Sequence, residues 1–492
     1  MAAEPVRLSR LATVAARTQT VAIVGDDPWL TDLDHDSRRV GPGIGFLAVP
    51  GSAADGHDFA DVAIARGAPA LVVERQLDVA APQLVVEAVR PLMAALAAEV
   101  HGHPSAALTV VGVTGTNGKT TVTHMLEAII VAAGRGAGLI GTIGARIAGR
   151  AVPLGHTTPE APELQRLLHR MVDAGVDIVA MEVSSHALAL GRADEVAFDV
   201  AVFTNLSQDH LDFHRDMERY YTAKRSLFVP ERAGRAVVNV DDPWGARLAS
   251  EVTVPVTTVG FAPNADLWGT DLAAGPSGTT MTVSDAHVSF VVTTRLAGRF
   301  NAANALIAAA AAIAVGVDPD AVRAGFEAMP AVPGRFEPVD AGQPFSVIVD
   351  YAHTPDAMAA VVGAVRPLTA NRVIALGGAG GDRDRRKRPL MGRALATADI
   401  AIVTSDNPRS EDPAEIVAEV AAGAGEAAEV VIEVDRRAAI ARAIELARPD
   451  DIVLILGKGH ESGQQIGAEN LPFDDRSVAT EELRRRFGED LA

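Results

Sequence analysis

The sequence predicts an α/β protein of three domains built on parallel sheets, and three observations carry that prediction. Its 492 residues amount to about three domains of roughly 150 residues each. Two helix-breaking stretches, His101-Gly102-His103-Pro104-Ser105 and residues 329–334 with two prolines and a glycine, divide it into segments 1–105, 106–332 and 333–492. Within the second and third segments, short β-branched runs alternate with helical stretches, the pattern of strands covered by helices.

The first segment mixes short apolar runs with turn signals at Gly41-Pro42-Gly43 and Pro50-Gly51. In the second, runs 108–113, 178–183, 200–203 and 236–240 read as buried strands, and in the third, runs 346–349, 373–376, 400–404, 430–434 and 452–456 do so. Ligands of such sheets gather beyond the carboxyl ends of the strands. The most apolar stretch, 302–317, contains Asn304 and reads as a buried helix rather than a membrane span.

Composition narrows the function. Hydrophobic residues make up 48% of the chain, which excludes a disordered or fibrous protein. Aromatics are only 4%, so the cores must be built from small and branched side chains. Cysteine is absent, which excludes disulfides and thiolate metal sites and fits a reducing compartment. A net charge of −19 repels phosphate backbones, so no nucleic acid partner is expected. Met1-Ala2-Ala3-Glu4-Pro5 opens without a basic stretch leading into an apolar run. A cytoplasmic protein without membrane insertion is the expectation.

Gly112-Val113-Thr114-Gly115-Thr116-Asn117-Gly118-Lys119-Thr120-Thr121 lies between an apolar strand and an amphipathic helix. Glycines let backbone amides curl round phosphate oxygens, and the helix N-terminus adds partial positive charge. Lys119 would reach the β and γ phosphates, and Thr120 would place a hydroxyl on magnesium. Val113 stands where the common pattern has glycine. ATP is the expected ligand, held by Gly115, Thr116, Asn117, Gly118, Lys119, Thr120 and Thr121.

The loop is followed by Met181-Glu182-Val183-Ser184-Ser185-His186, by Asn205-Leu206-Ser207-Gln208-Asp209-His210-Leu211-Asp212, and by Tyr221-Thr222-Ala223-Lys224. Asn301-Ala302-Ala303-Asn304, Pro333-Gly334-Arg335 and Asp350-Tyr351-Ala352-His353-Thr354-Pro355-Asp356 come next. This ordered set, with matching segments from about residue 36 to residue 475, resembles the Mur ligases and their folylpolyglutamate synthase relatives. The resemblance implies an N-terminal UDP-binding α/β domain, a central P-loop ATPase domain and a C-terminal Rossmann-like domain. It is greatest to the members that add the third peptide residue to UDP-N-acetylmuramoyl-L-alanyl-D-glutamate through an acyl phosphate. A monomer is expected. A folylpolyglutamate synthase is the alternative within the superfamily. A P-loop switch protein without ligase chemistry is the alternative outside it, and it would have lost Glu182, His210 or Lys224.

Glu182 ends one apolar strand and His210 closely follows another; a carboxylate and an imidazole at adjacent strand ends suit magnesium or manganese. The resemblance implies that CO2 carbamylates Lys224, turning a cation into an anion with two oxygen ligands. Lys119, Glu182, His210 and Lys224 are thus the expected catalytic residues, and Thr120, Glu182, His210 and carbamylated Lys224 the expected Mg2+ ligands. The resemblance further implies that Asn304, Arg335, Asp350 and His353 help to hold ATP, which requires domain closure.

Asp36-Ser37-Arg38 and Gly51-Ser52-Ala53-Ala54-Asp55-Gly56 are ordinary turns by themselves, but they resemble the family's uridine-site segments. Ser37, Ser52, Ala53 and Ala54 are the residues this implies. Thr157, Thr158, Ser184 and Arg192 match the segments that hold the muramoyl peptide, and Arg192 could pair with a substrate carboxylate. Leu190 stands where some relatives carry glutamine.

Asp406-Asn407-Pro408-Arg409 directly follows a strand. Meso-diaminopimelate differs from lysine by a carboxylate beside its distal amine, and the planar fork of Arg409 suits that group. The block matches the diaminopimelate-adding members. By the same resemblance Arg383, Gly457 and Glu461 complete the contacts, with Glu461 taking the distal ammonium. The rest of the cationic run 383–388 reads as solvated surface.

Overall fold

Each of the three segments folds around its own sheet. The computed structural model describes residues 4–51, 54–275, 278–425, 427 and 429–488. Ser52 and Ala53, expected at the uridine site, lie outside them. The first sheet has the order Val21–Val24, Gln83–Val86, Leu71–Val73, Ile44–Leu47, Asp32–Asp34. The last four strands are parallel and the first is antiparallel to its neighbour. Leu8, Leu11, Leu33, Leu84 and Leu96 pack into one core beneath it.

In the middle segment, Ala137–Gly141, Ile178–Glu182, Thr109–Thr114, Phe198–Phe203, Ala233–Asn239, Val256–Gly260 and Leu267–Gly275 lie side by side and parallel. Hairpins extend both edges antiparallel: Gly144–Ile147 with Arg150–Val152, and Gly278–Ser284 with Ser289–Thr294. The sequence predicted parallel pairing alone. Consecutive strands joined by a tight turn must return antiparallel, and these edges are made that way. Gly278–Ser284 alternates half-buried and buried residues, as a strand covered on one face does. Helices Lys119–Ala132, Arg299–Ala314 and Pro319–Ala328 cover that face, where Met125, Ile129, Leu306 and Phe326 share a core with the sheet. The apolar stretch 302–317 therefore lies in a largely buried helix as far as Ala314, with 315–317 beyond its end. Among the described residues, no helix is long and apolar enough to cross a membrane.

The third sheet has the parallel order Ser346–Asp350, Ile452–Leu456, Val373–Gly377, Ile400–Val403, Glu429–Ile432, with Glu337–Pro338 antiparallel at its edge. Beneath its carboxyl ends Arg436 and Asp475 form a fully buried bidentate pair of 2.8 and 2.7 Å. The same guanidinium donates to the carbonyls of Leu456 and Ser405, at 3.0 and 3.3 Å. The ends of the two strands that flank Val373–Gly377 are thereby fixed to each other. A buried arginine with all three nitrogens hydrogen-bonded rigidifies what it touches, whereas losing one partner would strand a charge.

Contacts between segments complete the frame. Glu160 meets Arg90 at 2.6 Å and Arg192 at 2.9 Å, tying the first segment to the second. Gln208 donates to Asp384 at 3.1 Å, and Lys387 lies 3.3 Å from Asp209, tying the second to the third.

Candidate functional site

The phosphate loop leaves the strand Thr109–Thr114 and enters the helix Lys119–Ala132. Its shape is imposed by its neighbours. Thr116 N donates to Asn205 O at 2.8 Å and Asn117 N to Asn205 Oδ1 at 3.0 Å. Gly118 has φ +88°, and a Cβ there would stand 2.3 Å from Asn304 Oδ1. Only glycine suits both the angle and the space. Lys119 curls back, donating to the carbonyls of Gly115 and Thr116 at 2.9 and 2.8 Å. Burial lowers its ammonium from the ordinary range, against the pull of Glu182 and Asp209.

A cavity of about 580 Å³ lies over this loop, lined among others by Lys119, Thr120, Glu182, Asn304, Arg335 and Asp350. Arg335 arrives from the third segment and donates to Thr120 Oγ1 at 3.0 Å, its guanidinium 4.4 Å from the Tyr351 ring centre. Its Nε is buried with no hydrogen-bond partner among the described residues. A buried cation with a spare donor is suited to an anion. Asp350 is occupied by the amides of Phe336 and Ala352, both at 2.7 Å, so it shapes the wall of the cavity; burial raises its carboxyl.

Glu182 is fully buried at the cavity floor. Its Oε1 accepts from Thr142 N at 2.8 Å, and its Oε2 from the hydroxyls of Thr120 and Thr142, at 3.0 and 3.1 Å. Thr120 and Glu182 thus offer hard oxygens side by side, the donor type Mg2+ takes. Lys224, 1% exposed, ends 2.7 Å from Gly115 O, with its ammonium 4.7 Å from the Tyr220 ring centre. It therefore sits at the base of the loop, with the Gly115 carbonyl as its hydrogen-bond partner. Burial, and then the charge of Lys119, push it well below the ordinary lysine range. His210 turns towards Asp209, at 3.4 Å, and burial pushes its imidazolium down to about 3. Among the described residues no group of three or more histidines and carboxylates is placed to hold a metal; the expected set contains two such side chains.

A second cavity, of about 180 Å³, lies across the segment boundary. Arg383, Asp406, Asn407, Arg409, Gly457 and Glu461 line it, six of the seven residues expected to receive the amino acid. The seventh, Pro408, is buried in the same turn. Arg409 adopts φ +53°, a left-handed conformation uncommon outside glycine. It is held there by Arg409 N donating to Gln465 O at 3.0 Å and Gly467 N donating to Arg409 O at 2.6 Å. Its guanidinium is half-buried and donates to Gly381 O at 2.6 Å. Burial, and then the charge of Arg383, lower its affinity for its proton.

Asp209, His210, Tyr351 and His353 line both cavities. Burial would raise the Asp209 carboxyl, but Lys387, His353 at 3.7 Å and His210 overcome it and hold it well below its ordinary range. The cationic run departs from its reading as surface only in part, since Arg385 and Arg386 are exposed. Arg383 is exposed, whereas Lys387 is buried on Asp209 and Arg388 is buried on Glu411 and Glu419, at 2.8 and 2.9 Å.

Towards the first segment, Thr157 Oγ1 lies 3.0 Å from Thr142 Oγ1. Thr158 Oγ1 donates to Glu182 O at 2.9 Å, and Ser184 Oγ caps the helix Ser185–Ala189. Arg192, expected on a substrate carboxylate, already faces Glu160. Ser37 is buried and Ala54 exposed, and neither lines the two cavities. Thr142 and Glu160 carried no signal in the sequence. Asp209 lay inside a quoted motif and Lys458 between the named Gly457 and Glu461, but their partners could not be read. A further cavity, of about 610 Å³ around Arg7, Trp29 and His101, holds none of the motif residues.

The profile of the Mur ligase middle domain matches residues 113–312, that of the Mur ligase glutamate ligase domain residues 334–459, and that of the Mur ligase family catalytic domain residues 30–105. The chain is 46% identical over 500 residues to UDP-N-acetylmuramoyl-L-alanyl-D-glutamate–2,6-diaminopimelate ligase of Streptomyces coelicolor, with 98% of each covered. It is 46% identical over 472 residues to the protein of that name from Geobacillus thermodenitrificans, with 94% of this chain and 96% of that one covered. A solved structure bearing the same name matches with a TM-score of 0.65 at 33% identity, covering 94% of this chain and 97% of that one.

Gly118→Ala should leave the far-ultraviolet circular dichroism unchanged and reduce ATP turnover by about a hundredfold, since misplacing a reacting group by about 1 Å costs that much. Near-normal turnover of the variant would show that this loop does not seat the phosphates.

Proposed function

The chain belongs to the Mur ligase family, and on that premise we propose that it joins meso-diaminopimelate to the D-glutamyl γ-carboxylate of UDP-N-acetylmuramoyl-L-alanyl-D-glutamate, converting ATP to ADP and phosphate. This is a step of peptidoglycan precursor synthesis. Segment 1–105 would bind the UDP portion, 106–332 the ATP and 333–492 the amino acid. The observation that carries the reading is the meeting of two cavities at Asp209 and His353, one above the phosphate loop and one walled by Arg409 and Glu461.

The γ-phosphoryl group passes to the γ-carboxylate while loop amides, Lys119 and Arg335 neutralise its charge. An amine held in the second cavity then attacks the carbonyl carbon of the acyl phosphate, and phosphate leaves. Arg409 and Arg383 receive the distal carboxylate, and Glu461 the distal ammonium. Ser37, Ser52, Ala53 and Ala54 would contact the uridine, and Thr157, Thr158, Ser184 and Arg192 the muramoyl peptide. Arg192 would do so through the donors that Glu160 leaves available.

Thr120, Glu182, His210 and carbamylated Lys224 would hold Mg2+, which supplies further charge neutralisation at the transferring group. The carbamate rests on the burial of Lys224 beside Lys119, because CO2 adds to an unprotonated amine, forming the N–C bond as a proton leaves. Lys224→Ala should be nearly inactive, and small carboxylic acids should partly restore turnover by replacing the lost anion. Full activity of this variant in CO2-depleted buffer would contradict the assignment.

The reading as a whole is tested by phosphate release with the UDP-muramoyl-dipeptide, comparing meso-diaminopimelate with L-lysine; equal use of both would refute it. Arg409→Ala should raise the KM for diaminopimelate about a hundredfold, because hydrogen bonds to charged groups contribute roughly 1.5–3 kcal/mol each. The KM values for ATP and the UDP substrate should barely move. If the variant keeps wild-type discrimination between the two amino acids, Arg409 does not set specificity.

A further inference from the structure

The structure assigns Lys458 as a positioning residue of the amino-acid cavity, one that aims Glu461 without touching the ligand. The inference rests on the reading above that this cavity receives diaminopimelate. Lys458 follows Gly457, whose φ of +117° turns the chain under the cavity. It is 0% exposed and does not line the cavity, whereas Asn407 and Glu461 do.

Its Nζ donates to Asn407 Oδ1 at 3.1 Å and to Glu461 Oε2 at 3.0 Å. Asn407 Nδ2 donates to the same Oε2 at 2.9 Å, and Gln465 N donates to Asn407 Oδ1 at 3.0 Å. The three side chains therefore close a ring that joins the loop after Ile400–Val403 to the loop after Ile452–Leu456. Two donors on Asn407 Oδ1 fix which way its amide points. Both bonds to Glu461 end on Oε2, which leaves Oε1 for the cavity.

This geometry restricts what Glu461 can do. A glutamate on a free chain would sample several rotamers and lose that freedom on binding; here an amide and a cation have already fixed it. Lys458 also offsets part of its negative charge, so a ligand ammonium meets one aimed oxygen rather than a mobile carboxylate. Arg436 stands below the same loops, but its bonds to Ser405 O and Leu456 O hold the backbone. Lys458 holds the side chains. Methionine in its place would keep much of the bulk and remove both tethers, leaving Asn407 Oδ1 with Gln465 N alone and Glu461 Oε2 with Asn407 Nδ2 alone.

The test uses the full-length chain with ATP and the UDP-muramoyl-dipeptide. Lys458→Met should raise the KM for meso-diaminopimelate about tenfold or more, the scale of a charge-assisted hydrogen bond. The KM for ATP and the kcat at saturating diaminopimelate should stay within about threefold. If Lys458 acts through Glu461, adding Glu461→Gln to Lys458→Met should change that KM by less than about threefold, although Glu461→Gln alone raises it about tenfold. An unchanged KM in Lys458→Met, or additive effects in the double variant, would overturn the assignment. A purely structural lysine would lower the melting temperature and shift all the constants together, without this coupling. Should the variant fail to fold, a crystal structure of the wild-type chain with diaminopimelate decides. Nζ should remain on Oε2 with the distal ammonium on Oε1, and a lysine that contacts the ligand itself refutes the proposal. Failure of the wild-type chain to use diaminopimelate would sink the functional reading instead, which separates the two outcomes.

Discussion

One buried carboxylate, Asp209, holds the two halves of the site together. It lies in the middle segment, and its cationic partner Lys387 comes from the third, as does His353. Two charges withdrawn from water persist only when each answers the other at short range. The pair can therefore stay buried only while the segments remain closed on each other. Closure in turn makes the cavity over the phosphate loop continuous in lining with the cavity around Arg409. A carboxylate activated in one and an amine waiting in the other would then be neighbours without solvent between them, where electrostatic stabilisation is strongest.

The same constraint explains how a chain of net charge −19 can handle anionic substrates. Positive charge is concentrated where the parallel strands end. Lys119 and Arg335 face the first cavity, Arg383 and Arg409 the second. Each is tethered before any ligand arrives: Lys119 to loop carbonyls, Arg335 to Thr120, Arg383 to Asp382 O, Arg409 to Gly381 O. Preorganised donors of this kind need little rearrangement as charge moves in a reaction. Burial disfavours the cation at Lys119 and Arg409 too, and at Lys224 burial and then Lys119 push it well below its ordinary range.

Much of the architecture was legible because buried parallel strands leave uninterrupted β-branched runs such as 108–113 and 452–456, and because a phosphate loop has few alternatives in sequence. The antiparallel edges were not legible, because Gly144–Ile147 and Arg150–Val152 are short and mixed, and Gly278–Ser284 and Ser289–Thr294 are interrupted by Thr and Ser rather than continuously apolar. In the site, the motif residues around both cavities could be named in advance, but not what holds them. Thr142 steadies Glu182 from a separate loop, and nothing near it in sequence announces that. The run 383–388 shows the limit most clearly. Arg383 is exposed while Lys387 and Arg388 are buried, an outcome set by Asp209, Glu411 and Glu419 on distant parts of the chain. Charge alone reads as solvent-facing; only the partners decide otherwise.

On the reading proposed above, this chain activates a carboxylate as an acyl phosphate and then delivers an amine to it. In that sequence a carboxylate oxygen becomes the bridging oxygen to phosphorus, and it departs with the phosphate when the amine attacks carbon. The direct measurement is turnover of UDP-N-acetylmuramoyl-L-alanyl-D-glutamate labelled with 18O in the γ-carboxylate, together with ATP and meso-diaminopimelate, followed by mass analysis of the phosphate. The phosphate should carry one atom of 18O for each tripeptide formed. Tripeptide formed with unlabelled phosphate would contradict that reading.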